Sequence, residues 1–202
     1  GQTDLQTTFI SGLDAPYGLA FVNGEIFVAN QGDLMRFAYT DGATKITAPG
    51  QKVTALPAVI NHHWTKSLTA SPDGTKLYAG VGSATNIADN GMEAEEGRAA
   101  IHELDLTTGV SRIFASGLRN AVGMAWEPQT GVLWTVVNER DGLGDETPPD
   151  YLTSVRDGGF YGWPYCYWDR IVDDRVPQDP AAVASAITPD YALGGHTASL
   201  GL

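Results

Sequence analysis

Gly18-Leu-Ala-Phe-Val-Asn-Gly-Glu-Ile-Phe-Val-Ala-Asn30 sets apolar residues on both sides of an Asn-Gly pair. Asn-Gly tolerates positive φ at both central positions of a two-residue turn, so the stretch reads as a tight hairpin of two short antiparallel strands. The same figure returns as Ser67-Leu-Thr-Ala-Ser-Pro-Asp-Gly-Thr-Lys-Leu-Tyr-Ala-Gly80, turning at Asp73-Gly74. It returns again as Gly123-Met-Ala-Trp-Glu-Pro-Gln-Thr-Gly-Val-Leu-Trp-Thr-Val136, turning at Thr130-Gly131. Leu19, Leu68 and Met124 stand 49 and 56 residues apart, a period close to the ~40–50 residues of a propeller blade once loops are allowed.

Each hairpin is followed by a second strand and turn. Residues 34–39 lead to Asp41-Gly42, residues 100–105 to Thr108-Gly109, and residues 151–155 to Asp157-Gly158. Two hairpins per repeat make four antiparallel strands, the unit of a β-propeller, whereas a β-sandwich does not require one hairpin at a long, near-constant period. The expected fold class is all-β: a β-propeller of four-stranded antiparallel blades, with about three blades present. Residues 1–202 form one partial propeller with repeats starting near 13, 62 and 118. An incomplete repeat starts near 196, where His196-Thr-Ala-Ser-Leu-Gly201-Leu202 parallels Leu118-Arg-Asn-Ala-Val-Gly123-Met124. Three blades leave a ring open, so the chain is expected to be part of a longer protein or one of several assembling pieces. No segment sustains a 3.6-residue period, and helices should be few.

Composition agrees and excludes other classes. Twelve Lys and Arg face 24 Asp and Glu, a formal −12, which disfavours nucleic acid and anionic membrane surfaces as partners. Hydrophobic residues at 43% exclude a disordered chain. The longest apolar run, about residues 181–187, is far short of the ~18 residues of a membrane span. Cys166 is the one cysteine, so neither an internal disulfide nor a cysteine-built metal centre is available. Gly-Lys-Ser/Thr, Gly-x-Ser-x-Gly and His-Glu-x-x-His are absent, which leaves nucleotide, serine-hydrolase and zincin chemistry without a carrier.

In a propeller, loops entering successive innermost strands converge at one mouth of the channel. Five residues before Leu19, Leu68, Met124 and Leu202 stand Asp14, His63, Arg119 and Thr197. His63 is the candidate general base, since an imidazole titrates near working pH; a channel-lining histidine held by hydrogen bonds is the alternative. His62, its neighbour on an extended segment, should point the other way and be structural. Arg119 offers a permanent charge suited to an anionic cofactor or developing oxyanion, or else to a salt bridge with a carboxylate. Asn138-Glu-Arg-Asp-Gly-Leu-Gly-Asp-Glu146 combines hard oxygen donors with glycines, as Ca²⁺ prefers, but lacks the EF-hand spacing; a solvated acidic loop is the default. The same default holds for Asp173-Asp174 and for Glu93, Glu95 and Glu96. The aromatic stretch 158–168 walls a pocket or packs between blades.

Read in order, Asn61-His-His-Trp-Thr-Lys-Ser-Leu68, Ser71-Pro-Asp-Gly74, Ser116-Gly-Leu-Arg-Asn120, Val137-Asn-Glu-Arg-Asp141 and Gly159-Phe-Tyr-Gly-Trp-Pro164 resemble the soluble glucose/sorbosone dehydrogenases that use pyrroloquinoline quinone (PQQ), the L-sorbosone dehydrogenase-like branch above all. The resemblance covers the first half of a six-bladed fold. It implies a PQQ- and Ca²⁺-dependent oxidoreductase acting on a sugar or sugar-derived aldehyde. His63 would take the proton as hydride leaves for the C5 carbonyl of PQQ. Arg119 would lie near the reacting oxygen with Asn120 beside it in the cofactor site, and the backbone carbonyls of Asp141 and Gly142 would hold Ca²⁺. It further implies a small-molecule sugar substrate, an electron acceptor of unspecified kind, companion blades, and a periplasmic or extracellular location. Two departures matter. His62 stands where glucose-oxidising members carry an acid, and the basic residues that grip PQQ come from later blades. Two other readings remain: a calcium-dependent lactonase-type propeller, with carboxylate and amide side chains around a metal, and a non-enzymatic recognition scaffold.

Overall fold

The computed structural model of the protein describes residues 3–59 and 61–202. Among the described residues the strands form three large sheets, mainly of antiparallel neighbours taken in chain order, and one two-stranded hairpin. The first is β1 (Gly18–Val22), β2 (Glu25–Ala29), β3 (Asp33–Ala38) and β4 (Gln51–Ala55). The second is β5 (Lys66–Ala70), β6 (Lys76–Val81), β7 (Ala100–Asp105) and β8 (Ser111–Ser116). The third runs from β9 (Ala121–Trp126) through β10 (Leu133–Val137) and β11 (Pro149–Ser154). The three repeated hairpins lie where the turn residues put them. Asn23 and Gly24 take φ of 52° and 77°, the left-handed values that Asn-Gly admits cheaply.

Where the third sheet finds its fourth strand departs from the expected pattern. The turn at Asp157-Gly158 forms, but β12 (Gly159–Phe160) leaves β11 and pairs in parallel with β8 of the second sheet, Gly159 opposite Ala115. Bonds from Tyr161 N to Ser116 O and Trp163 N to Gly117 O continue that path and cover the otherwise unpaired edge of β8. After the small hairpin of β13 (Cys166–Tyr167) with β14 (Ile171–Val172) and the short helix α1 (Pro180–Ser185), the chain returns as β15 (Tyr191–Gly195), which completes the third sheet beside β11. Asp179 caps α1 by accepting bonds from Ala181 N and Ala182 N. It is the one α-helix among the described residues.

Successive sheets stack through their innermost strands, a propeller-like arrangement. Gly18 of β1 lies against the backbone of Lys66 and Leu68, Ser67 Oγ donates to Ala121 O at 3.2 Å, and a Cβ on Gly123 would come 2.7 Å from Gly201 Cα. Small residues recur at these positions because each admits the backbone of the next inner strand. Strand β1 shows the resulting two-sidedness in strict alternation: Ala20 and Val22 are buried towards the second sheet, while Leu19 and Phe21 are 59% and 58% exposed. One core layer holds Val22, Phe27, Leu34, Leu77 and Leu104 between the first two sheets. Another holds Tyr78, Ile101, Leu133, Val137 and Tyr151 between the second and third. Tyr78 ties the latter together. Its ring meets Phe114 and Trp126 edge-on at 5.0 and 5.1 Å, and its hydroxyl donates to the buried Glu103 at 2.7 Å.

Gly18→Val should therefore force β1 away from β5 at a cost of about 2–3 kcal/mol, read as a lower urea midpoint with unchanged slope. Leu19→Ser, one residue along on the exposed face, should change stability by no more than ~0.5 kcal/mol in the same urea titration.

Candidate functional site

Antiparallel pairing places the start of each inner strand beside the end of its neighbour. The loops before β5 and β9 therefore share one end of the molecule with the loops after β6, β10 and β15. At that end lies a cavity of about 250 Å³ lined by His63, Arg119, Asn120, Asn138, Glu139, Asp141, Asp150, His196 and Ala198. Short backbone bonds stitch its walls: Ser83 N to Arg119 O at 2.8 Å and Asn138 N to Asn120 O at 3.0 Å.

His63 is half-buried, and its Nδ1 lies 3.0 Å from both the carbonyl and the hydroxyl oxygen of Ser83. The Ser83 hydroxyl directs its own proton to Thr85 O at 2.6 Å. Both Nδ1 partners are thus acceptors, which puts the neutral ring's proton on Nδ1 and leaves the lone pair on Nε2. Burial, reinforced by the Arg119 charge, lowers the imidazole to about 4. A neutral imidazole with a fixed tautomer and a free Nε2 lone pair has the form of a general base. Gly82 makes room for it, since a Cβ there would come 2.5 Å from both His63 Cβ and Asn120 Oδ1.

Arg119 is 3% exposed and lies at the junction of three loops. Its Nε donates to Asn86 O at 3.0 Å, its Nη1 to Asn138 O and Glu139 O at 3.1 and 2.7 Å, and its Nη2 to Asn86 Oδ1 at 2.8 Å. Four of its five N–H groups hold loops together, and the nearest ionic contact, to Asp141 Oδ2, is long at 3.9 Å. Asn86 completes the clamp: its Oδ1 accepts from Asp141 N at 2.9 Å and its Nδ2 donates to Asp141 O at 3.0 Å.

The acids of the cavity differ in environment. Asp150 is buried but saturated: it accepts from Glu139 N at 2.7 Å and from Ala198 N and Thr197 Oγ1 at 2.7 and 3.3 Å. Glu139 is 4% exposed, its Oε1 has no partner, and burial pushes its carboxyl up to about 8. Asp141 is exposed and faces His196 Nδ1 at 3.4 Å. A hydrogen bond to Gly144 O, aided by the nearby acids, raises the His196 imidazole above its ordinary value.

The chain matches the TrAA12-like family over residues 3–183. It belongs to that family. The AA12 carbohydrate-active enzyme of Trichoderma reesei is 21% identical, with a TM-score of 0.81 over 91% of this chain and 57% of that one. The PQQ domain of pyranose dehydrogenase from Coprinopsis cinerea is 18% identical, with a TM-score of 0.71 over 95% and 68% of the two chains. A PQQ-dependent sugar dehydrogenase of Hypocrea jecorina is 24% identical over 187 residues, 79% of this chain and 44% of that protein. The chain thus spans less than half the length of that curated relative.

In this TrAA12-like chain His63, Arg119, Asn120 and Asp141 line one cavity; of the four residues at the shared offset, His63 and Arg119 line it and Asp14 and Thr197 do not. Gly142 does not line it; its carbonyl faces Arg175 Nη2 at 3.4 Å. Asp14 stays outside on the first sheet, its carboxylate accepting Gln31 Nε2 at 3.1 and 3.0 Å. His62 is exposed and outside the cavity, yet its ring meets that of His63 edge-on at 4.9 Å instead of turning fully away. Sequence reading missed Asn86, Asp150 and His196. Three acids expected in solvent are buried: Glu139, described above, Asp173, which pairs with Arg140 Nε at 2.9 Å, and Glu95, which accepts Ala84 N at 2.7 Å. The aromatic stretch serves packing, with Tyr161 and Trp163 2% and 4% exposed.

His63 holds no proton in the folded state until pH falls to about 4, against 6.5 ordinarily, so its contribution to stability falls as pH drops across that window. Glu139 acts oppositely, keeping its proton up to about 8 against 4.5, so stability falls as pH rises across 4.5–8. Glu139→Gln should make the protein more stable than the parent at pH 8, with the difference shrinking towards pH 5, as urea unfolding at each pH would show. A histidine NMR titration should place His63 near 4 with Nδ1 protonated.

Proposed function

We propose that this chain carries the proton-abstracting part of a PQQ- and Ca²⁺-dependent dehydrogenase for a sugar or sugar-derived aldehyde of the aldose or sorbosone type. The observation behind this reading is the neutral His63 imidazole, Nε2 free, in one cavity with Arg119, Asn120 and Asp141. The PQQ domain of a pyranose dehydrogenase, which shares the fold, and a sequence relative named as a PQQ-dependent sugar dehydrogenase support it. PQQ, when bound, supplies the hydride acceptor that no side chain can provide. His63 Nε2 would take the hydroxyl proton of the substrate. Arg119, with one N–H not engaged, and Asn120 would orient the quinone and favour negative charge near it.

The donor chemistry suits a hard cation in part. Asp141 O accepts only one hydrogen bond, leaving a lone pair for Ca²⁺, and the lining acids add negative field. Gly142 O would have to release Arg175 to join it. The cavity is smaller than the ~300–1,000 Å³ of ordinary ligand pockets and has more carboxylates than cations, so a tricarboxylate needs basic groups from elsewhere. Apolar faces on both flanking sheets, Leu19 and Phe21 on one and Trp134, Leu152 and Leu202 on the other, support companion blades completing a six-bladed ring. A periplasmic or extracellular location follows from the resemblance.

One feature favours a second reading. Amides and carboxylates, Asn120, Asn138, Glu139, Asp141 and Asp150, outnumber basic groups around the cavity, as a calcium-dependent lactonase-type hydrolase would require. The protein with its completing blades, supplied with PQQ and Ca²⁺, should reduce a redox dye with aldoses or sorbosone, and His63→Ala should lower the rate ~10²–10⁴-fold. Absence of dye reduction with every aldose and aldehyde, together with lactone hydrolysis on Ca²⁺ alone, would replace the dehydrogenase reading with the second.

A further inference from the structure

Next to the His63 loop, outside the cavity lining, lies an unusual pair of cations. Lys66 opens β5 and is 0% exposed, and Arg98, from the loop before β7, is 6% exposed. Neither has a carboxylate within ion-pair distance among the described residues. The nearby Glu95 gives its carboxylate to Ala84 N, Thr85 N and the Thr85 hydroxyl instead. Burying an ammonium without a counter-ion is costly, and the burial and the adjacent Arg98 charge pull Lys66 down to about 8.

All three Lys66 N–H groups turn back into the loop that bears His63. They reach Trp64 O at 3.0 Å, Asn61 Oδ1 at 3.2 Å and His63 O at 3.4 Å. Arg98 Nη1 donates to the same Asn61 Oδ1 at 3.1 Å and to Gly82 O at 3.4 Å, while Nη2 reaches Val59 O at 2.8 Å. Asn61 Nδ2 has no partner, so the amide acts here as an acceptor shared by two cations. The two cations therefore bind both flanks of the His63 site: Lys66 the 61–64 loop, and Arg98 the Gly82 peptide beside Ser83, whose oxygens fix Nδ1. A salt bridge to a carboxylate would stabilise either cation better but would not hold these carbonyls.

We propose that Lys66, braced by Asn61 and Arg98, is a positioning residue that holds the His63 backbone so that Nδ1 stays on Ser83 and Nε2 faces the cavity. The inference rests on His63 being the base, but its test does not need activity. In ¹⁵N-histidine NMR of the chain, Lys66→Met should broaden or split the His63 resonances between tautomers. It should also move the titration from about 4 towards 6.5 as the ring gains solvent. Asn61→Ala, which leaves Lys66 two acceptors and is less disruptive to folding, should shift both in the same direction by less. In the cofactor-loaded protein with its completing blades, Lys66→Met should lower kcat on the order of 10- to 100-fold with a smaller change in KM, the signature of a misplaced base. Folded variants whose His63 keeps the parent's tautomer and titration would overturn the positioning role whatever their activity. An altered His63 in a protein that oxidises no sugar would keep it and remove the dehydrogenase reading.

Discussion

The Arg119 guanidinium is the interaction on which the candidate site depends. Carbonyls of Asn86, Asn138 and Glu139 belong to loops from two different sheets, and all converge on this one buried cation. Four charge-assisted bonds offset the removal of a guanidinium from water, and its planar fork can address acceptors from several directions where an ammonium could not. The same charge offsets a cavity otherwise rich in acids and adds to burial, the larger cause, in lowering the His63 imidazole. Removing it would loosen the loops and alter the base together.

The clamp can exist only because the sheets stack closely at their inner strands. Gly18, Ser67 and Gly123 let backbone meet backbone, which brings loop ends within side-chain reach of the next sheet. Fold and site are therefore coupled. The cross-sheet bond from Trp126 Nε1 to Ala70 O at 2.6 Å ties the inner strands β5 and β9 together at their far ends.

What the sequence made legible was local. Asn-Gly, Asp-Gly and Thr-Gly mark hairpins because positive φ is a property of the residue itself: Gly74 and Gly131 take 68° and 66° where expected. The destination of residues 159–160 was not legible, because the unpaired edge of β8 competes with β11 and that edge is made some forty residues earlier. His63 and Arg119 were found through a repeat offset. Asp150 carries no such mark, lying at the start of β11 and acquiring meaning only from the amides of Glu139 and Ala198. Asn86 sits in the long connection after β6, outside every repeat. Asp173 was expected in solvent because its partner Arg140 is distant in sequence and adjacent only in space.

The most direct test of this account is amide hydrogen exchange in Arg119→Met. If the guanidinium assembles the cavity, the amides of Glu139 and Asp141 should lose protection because the carbonyls of Asn86, Asn138 and Glu139 lose their common donor, while core amides such as Tyr78 and Val137 keep theirs. Full protection of Glu139 and Asp141 in a folded Arg119→Met protein would contradict it.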